Sequence, residues 1–188
     1  MKKKWSLLVT TLMVLSLLAG TASAASVEEK RQDVRNLSQR ILTKLYQDHP
    51  SAKGAIQSSA GYATFGNTGF KLGFIGSGHG RGLAVNNSSG AEYFMSMFEV
   101  GIGLGLGVKE TSVIFLFDNE EAFQNFVAEG WEFGGQAGLT ATDSVSGGSL
   151  EGAVCVAPHV WVYQMTSKGL AAEITLNGTK YSIDKDLK

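Results

Sequence analysis

Residues 100–108 read Val-Gly-Ile-Gly-Leu-Gly-Leu-Gly-Val, a strict alternation of large apolar residues with glycine. Because the side chains of a strand point alternately to its two faces, this pattern predicts a strand with one apolar face and one face of bare backbone. Glycine weakens a strand and often marks a place where something approaches the backbone closely. We therefore expect a helix, a second sheet or a ligand to lie against the glycine face.

The other glycines extend this pattern over most of the chain. All but Gly20 of the 24 glycines lie from Gly54 onward, and residues 70–85 also alternate apolar residues with glycine. A turn is predicted at 86–90 and another at 109–111, because both segments are polar. The remaining predicted strands are 93–98, 112–117, 131–133, 136–140, 152–157, 160–166, 171–176 and 179–183. The short connections between them favour antiparallel pairing.

Two helices are predicted beside these strands. Ser26 and Glu29 form a capping box at the start of the first helix, which we expect to end near Pro50 because the residue before proline avoids the helical conformation. The second helix is predicted near 119–129. The predicted fold class is therefore α+β, a single domain of mainly antiparallel glycine-rich β-strands with an N-terminal amphipathic helix and a second short helix.

The N-terminal helix combines an apolar stripe with basic residues. The stripe consists of Val34, Leu37, Ile41 and Leu45, and the basic residues beside or behind it are Lys30, Arg31, Arg35, Arg40 and Lys44. Two interpretations fit this pattern. The stripe packs on the core of the domain, or the helix lies on a membrane, with its basic residues on head groups and its stripe in the interface. Secondary candidates for lipid contact are Lys53, Lys71, His79 and Arg81.

The first 24 residues are predicted to be a secretory signal peptide. They contain a basic start, an apolar run over 7–18 and the small residues Ala22-Ser23-Ala24, so we expect cleavage near Ala24. Thr21 stands where a lipoprotein signal would carry its cysteine, and a lipid anchor is therefore not expected. The predicted product is periplasmic or secreted, with a helical segment at 25–50 and a glycine-rich core at 51–188.

The sequence offers little support for catalysis or cofactor binding. With 16 Lys+Arg against 17 Asp+Glu, it lacks the basic character of a nucleic-acid-binding protein. Glycines at every second position of 76–82 do not match a nucleotide-binding loop. His49, His79 and His159 are too far apart in sequence to predict a metal site, and Cys155 has no basic neighbour to activate it. We expect a non-enzymatic protein without cofactor, metal or nucleotide.

Several segments, taken in serial order, resemble the SYLF domain family. They are Ala52-Lys53-Gly54-Ala55, 69–82, 101–107, 113–121, 131–137 and 163–171, followed by a short hairpin, and they span residues 51 to 183. The family includes exported bacterial lipid-binding proteins and is related to the yeast-type actin-binding YSC domain.

The resemblance implies association with phospholipid or a membrane surface. In an exported bacterial protein, the expected contact is the basic helix that precedes the glycine-rich core. Actin is not expected as a partner, because an exported chain does not meet it. The alternative hypothesis is an envelope scaffold or adaptor that binds a protein partner through a strand edge or the glycine-rich face.

Overall fold

The computed structural model describes residues 26–133, 152–166, 169–170 and 178–188, with the side chains of 67–77, 100–110, 133 and 169–170 excepted. In these residues the fold is α+β and the strands pair antiparallel, as predicted. The predicted signal segment and the predicted strands at 136–140 and 171–176 lie outside the described residues.

Three helices and seven strands make up the described part of the chain. Helix α1 covers residues 26–48 and helix α2 covers Ser51–Ser58. The later elements are β1 (Gly61–Asn86), β2 (Glu92–Phe117), α3 (Glu120–Glu129), β3 (Trp131–Phe133), β4 (Val154–Ala157), β5 (Val160–Thr166), β6 (Gly169–Leu170), β7 (Thr179–Ile183) and a 3-10 helix (Lys185–Leu187). The strand order is β3-β7-β2-β5-β4, with β1 also paired to β2 and β6 to β5.

Strands β1 and β2 form one long hairpin. Their pairing runs from Gly61 opposite Phe117 to Val85 opposite Glu92. The predicted turn at 109–111 is therefore wrong, because that segment is paired with residues 67–69 inside the hairpin. Polar residues stand on both strands there, so the polarity that suggested a turn belongs to a polar stretch of the paired strands.

The turn predicted at 86–90 is confirmed and closes this hairpin. The Asn86 Oδ1 atom accepts hydrogen bonds from the amides of Ser88 and Ser89, at 3.0 Å and 2.9 Å. Gly90 has a φ of 70°, a left-handed conformation that glycine adopts without steric cost. The Asn86 side chain thus accepts hydrogen bonds from turn amides that have no partner strand to pair with.

Strand β1 curls so that its first residues lie against its last. A Cβ atom on Gly82 would clash with the Phe65 ring and the Thr64 carbonyl oxygen, and one on Gly80 would clash with the Gly66 carbonyl oxygen. The close neighbour of these two glycines is therefore the other half of the same strand. The neighbour expected at the glycine face of residues 100–108 falls on a segment whose side-chain surroundings lie outside the described part of the structure.

The sheet is covered on both faces where β2 pairs with β5. Alternate residues of a strand face opposite sides. Accordingly, Val113, Phe115 and Phe117 join a buried cluster with α3, whereas Ile114 and Leu116 join a second cluster with α1 and α2. Burial on both faces explains why residues 113–117 form a continuous apolar run. Helices α1 and α2 therefore lie on one face of this part of the sheet, and α3 lies on the other.

Helix α2 was not predicted, because residue 51 was assigned to the start of the glycine-rich core. Pro50 stands at its N-cap with φ −58° and ψ −31°. The proline that was expected to stop α1 therefore also precedes the first residue of the next helix. Ala52 and Ile56, one helical turn apart, are its buried residues. Gly54, which marked the change of composition along the sequence, lies within this helix.

Candidate functional site

The apolar stripe of α1 is packed on the sheet. Val34, Ile41 and Leu45 are 3%, 4% and 0% exposed. Leu37 is half-buried, and its Cδ1 atom lies 3.0 Å from the position that a Cβ on Gly66 would take. This arrangement agrees with the first of the two sequence interpretations, in which the stripe of α1 packs on the core of the domain. Contact between these four residues and lipid remains a prediction.

A polar contact interrupts this apolar interface. The Thr64 hydroxyl of β1 donates a hydrogen bond to the Ser38 hydroxyl of α1 at 2.8 Å. Both residues are buried, with exposures of 1% and 3%. A hydrogen bond of this kind contributes only about 1 kcal/mol, since water satisfies both groups when they separate. The middle of the interface therefore contributes less to the free energy of docking α1 on the sheet than an apolar contact of the same size would.

Arg35, on one border of the stripe, joins α1 to the start of β2. Its Nε donates to Glu92 Oε2 at 2.8 Å and its Nη1 to Glu28 Oε1 at 2.9 Å. The hydrogen bond to Glu92 raises the pKa of Arg35, and the hydrogen bond from Arg35 lowers the pKa of Glu28. Because the Glu28 pKa is lowered in the folded state, ionised Glu28 stabilises the fold at neutral pH. This stabilisation is lost as the pH falls through the lowered pKa.

Arg31 extends the same border toward the end of the chain. Its Nε donates to the Leu187 carbonyl at 3.1 Å, and its Nη1 lies 3.5 Å from Glu28 Oε2. The guanidinium carbons of Arg31 and Arg35 lie 5.7 Å and 5.1 Å from the centroid of the Phe94 ring. We call this set the arginine clasp: Arg31, Arg35, Glu28, Glu92 and Phe94. Two of the predicted lipid contacts are therefore engaged within the protein, through half-exposed ion pairs that are individually weak.

The other predicted basic contacts face solvent. At 100° per residue, Arg40 and Lys44 fall on the opposite border of the stripe, and Lys30 falls in line with the stripe near the start of α1. All three are exposed. Lys44 Nζ lies 3.1 Å from Asp48 Oδ2, whereas Lys30 and Arg40 form no ion pair with the residues that the structure describes. Lys53 is exposed on α2. We call Lys30, Arg40 and Lys44 the outer basic residues.

His79 and Arg81 lie in strand β1 and not in a loop. They line an open groove of about 790 Å³, formed by β1, β2, β7 and the 3-10 helix, which contains no α1 residue. The His79 ring packs on Phe98, whose exposure is 42%, with 4.8 Å between centroids. Arg81 Nε lies 3.3 Å from Asp184 Oδ2. The structure thus separates these secondary candidates from α1, and the side chain of Lys71 is outside its description.

The groups that could suggest catalysis have ordinary surroundings. His159 Nδ1 lies 2.6 Å from Asp118 Oδ1, and both side chains are more than half exposed, at 56% and 51%. The Cys155 thiol donates to the Ala157 carbonyl at 3.3 Å. Within the described ranges, no cluster of three His, Cys, Asp or Glu is placed to hold a metal ion. No helix in those ranges is long and apolar enough to cross a membrane.

Sequence reasoning missed the residues that receive α1. Glu92, Phe94 and Thr64 lie far from the helix in sequence, and no local pattern pairs them with it. Ser38 carried a usable signal, because it falls inside the apolar stripe between Val34 and Ile41. A hydroxyl at a buried helix position needs a hydrogen-bond partner, either a carbonyl of the preceding helical turn or a polar residue on the surface that α1 covers, and the structure shows Thr64 as that partner.

Comparison with known proteins confirms the resemblance inferred from the sequence. Residues 98–188 match the family model Ysc84, described as "Las17-binding protein actin regulator". The chain is also 32% identical over 165 residues to Beta cell expansion factor A of Aeromonas veronii, which covers 86% of this chain. The chain spans 60% of the length of that relative. The family model begins within β2 and does not include α1. Residues 98–188 match the SYLF-type domain that the Ysc84 model describes, and the chain as a whole is similar to a SYLF-family protein over 165 residues.

Proposed function

We propose that this protein is a non-enzymatic phospholipid-binding protein of the bacterial cell envelope, and that α1 is its membrane contact. The observation that carries the proposal is the arrangement of α1. Its apolar stripe is bordered by basic residues on both sides, and the helix forms an outer layer on the sheet. Helices that lie in a membrane interface have this arrangement. The envelope location rests on the signal-like pattern of residues 1–24.

The two basic borders suit an anionic bilayer. Arg40 and Lys44 stand on one side of the stripe and Arg31 and Arg35 on the other. Long basic side chains can keep their stems against apolar surface while their charges reach the head groups. Arginine also forms paired hydrogen bonds to phosphate oxygens. Each basic residue near an anionic surface contributes about 1 kcal/mol, so several together give weak binding that salt reduces.

Removal of the outer basic residues is expected to weaken membrane binding. The triple variant Lys30→Ala, Arg40→Ala, Lys44→Ala loses about 3 kcal/mol of attraction at low salt, which corresponds to roughly 100-fold weaker partitioning. The three side chains are exposed, so the fold should be unaffected. Co-sedimentation with phosphatidylcholine vesicles, with and without phosphatidylglycerol, measures the effect at low and high salt.

A matched control removes the same charge elsewhere. Lys180, Lys185 and Lys188 are exposed and lie outside α1, so their triple replacement by alanine changes the net charge equally. Binding of this control should stay close to that of the wild type. An equal loss in both triple variants would show that net charge, and not α1, governs binding. Failure of the wild-type protein to bind either vesicle would favour the envelope scaffold, tested by co-purification with a defined protein.

A further inference from the structure

Helix α1 cannot present its apolar stripe to a membrane while it is docked. Val34, Ile41 and Leu45 are at most 4% exposed and belong to the buried clusters on this face of the protein. An interfacial helix instead places its apolar face at the boundary between head groups and acyl chains. Full engagement of α1 with a bilayer therefore requires the helix to leave the sheet.

The contacts that hold α1 to the described sheet residues each have an equivalent at an anionic membrane. The hydrogen bonds across this interface come from side chains, as in the pairs Ser38–Thr64 and Arg35–Glu92. Water can replace the hydroxyl partners, and lipid phosphate can replace the carboxylates that bind the arginines. The apolar stripe would leave the apolar surface of the sheet and contact the acyl chains of the bilayer instead. A neutral membrane also offers water and an apolar interior, but it lacks the net negative charge that attracts the basic residues of α1.

The connection to α2 places a hinge at one end of α1. Only residues 49–50 separate the two helices, and Pro50 has no N–H group with which to continue the α1 hydrogen-bond ladder. Helix α2 is held independently, because the Asn87 side chain donates to the carbonyls of Ile56 and Ser59 at 2.7 Å and 2.9 Å. Rotation about the short connection would therefore move α1 while α2 stays on the sheet.

We propose that docked α1 is a self-inhibited state and that an anionic membrane releases the helix from the sheet. This inference rests on the proposed function, because it specifies how the same helix is regulated. In the docked state the protein itself covers the apolar stripe, and the arginine clasp is satisfied internally. An anionic surface favours release because it binds the free helix more tightly than the docked one.

A disulfide lock tests the release directly. The Ser38 and Thr64 hydroxyl oxygens are 2.8 Å apart. Since carbon–sulfur bonds are longer than carbon–oxygen bonds, S38C/T64C brings two sulfurs close to the disulfide length of about 2.0 Å. The variant is made with C155A, which removes the native thiol. The reduced protein should bind anionic vesicles like the wild type, and the oxidised protein should bind at least about tenfold more weakly, as expected for a helix held away from the bilayer.

The outcomes separate the two proposals. Equal binding of the oxidised and reduced forms would overturn release while leaving lipid binding intact. Absence of binding by the wild type and the reduced form would overturn both. S38C/C155A, which carries a single thiol, should be indifferent to oxidation, and binding that nevertheless falls on oxidation would contradict the lock as the cause.

A second measurement does not depend on disulfide formation. In T64C/C155A the introduced thiol lies beneath α1, at a position that is 1% exposed in the docked protein. A water-soluble maleimide should label it at least about tenfold faster when anionic vesicles are bound, because release exposes this site to solvent. An unchanged labelling rate on vesicle-bound protein would overturn the release of α1.

Discussion

Gly82→Ala is expected to lower the free energy of unfolding by about 3 kcal/mol, the upper part of the usual range for overpacking. The added Cβ would clash with the Phe65 ring and with the Thr64 carbonyl oxygen. Both neighbours are buried, at 0% and 1% exposure, and the carbonyl belongs to a paired strand that cannot move alone. Urea denaturation, analysed by linear extrapolation, measures the loss.

Gly54→Ala is the matched control for this substitution. A Cβ on Gly54 would meet nothing within 4 Å, and the residue lies inside α2. Alanine is the better helix former, so this variant should be more stable by about 0.5–1 kcal/mol. If Gly82→Ala were as stable as the wild type, β1 would not curl back on itself as described here.

Met165→Ala is expected to weaken the docking of α1 from the side of the sheet. Met165 is 1% exposed and belongs to the buried cluster that also contains Ile41 and Leu45. Truncation of a buried methionine costs about 2–5 kcal/mol, and here part of that cost falls on the interface with α1. The sequence of α1 is unchanged, so the released helix keeps its affinity for lipid. Binding to anionic vesicles should therefore increase while the stability of the protein decreases.

Val162→Ala serves as the control on the same strand. Val162 is 0% exposed, but it belongs to the cluster on the opposite face of β5, with α3. This variant should lose stability without gaining affinity for vesicles, because it removes no contact with α1. Equal gains in vesicle binding for Met165→Ala and Val162→Ala would mean that general destabilisation, and not release of α1, increases binding.

The sequence predicted α1 and its apolar stripe correctly because helical periodicity is a local property. It could not decide what covers the stripe, since a sheet and a membrane both accept Val34, Ile41 and Leu45. That choice depends on partners distant in sequence, such as Thr64 and Glu92. The same limit applies to the basic residues, which were predicted as one group. The structure divides them into the arginine clasp and the outer basic residues.

The β-strands show a similar division between local and long-range information. The strands at 131–133, 160–166 and 179–183 were predicted with the bounds that the structure gives them. The turn at 109–111 was wrong because its polarity is explained only by the pairing with residues 67–69, a relationship across the hairpin. The sequence did not indicate the close neighbour of Gly80 and Gly82, which the curled hairpin identifies as β1 itself.

The most direct test of the account asks which surface of the protein meets the bilayer. A polarity-sensitive fluorophore is attached through Leu42→Cys, at a half-buried position of α1, and in a second protein through Lys180→Cys on β7, both with C155A. With anionic vesicles, we predict a blue-shifted emission from the α1 probe and an unchanged emission from the β7 probe, because only α1 enters the apolar interface. A shift at the β7 probe with none at α1 would contradict α1 as the membrane contact.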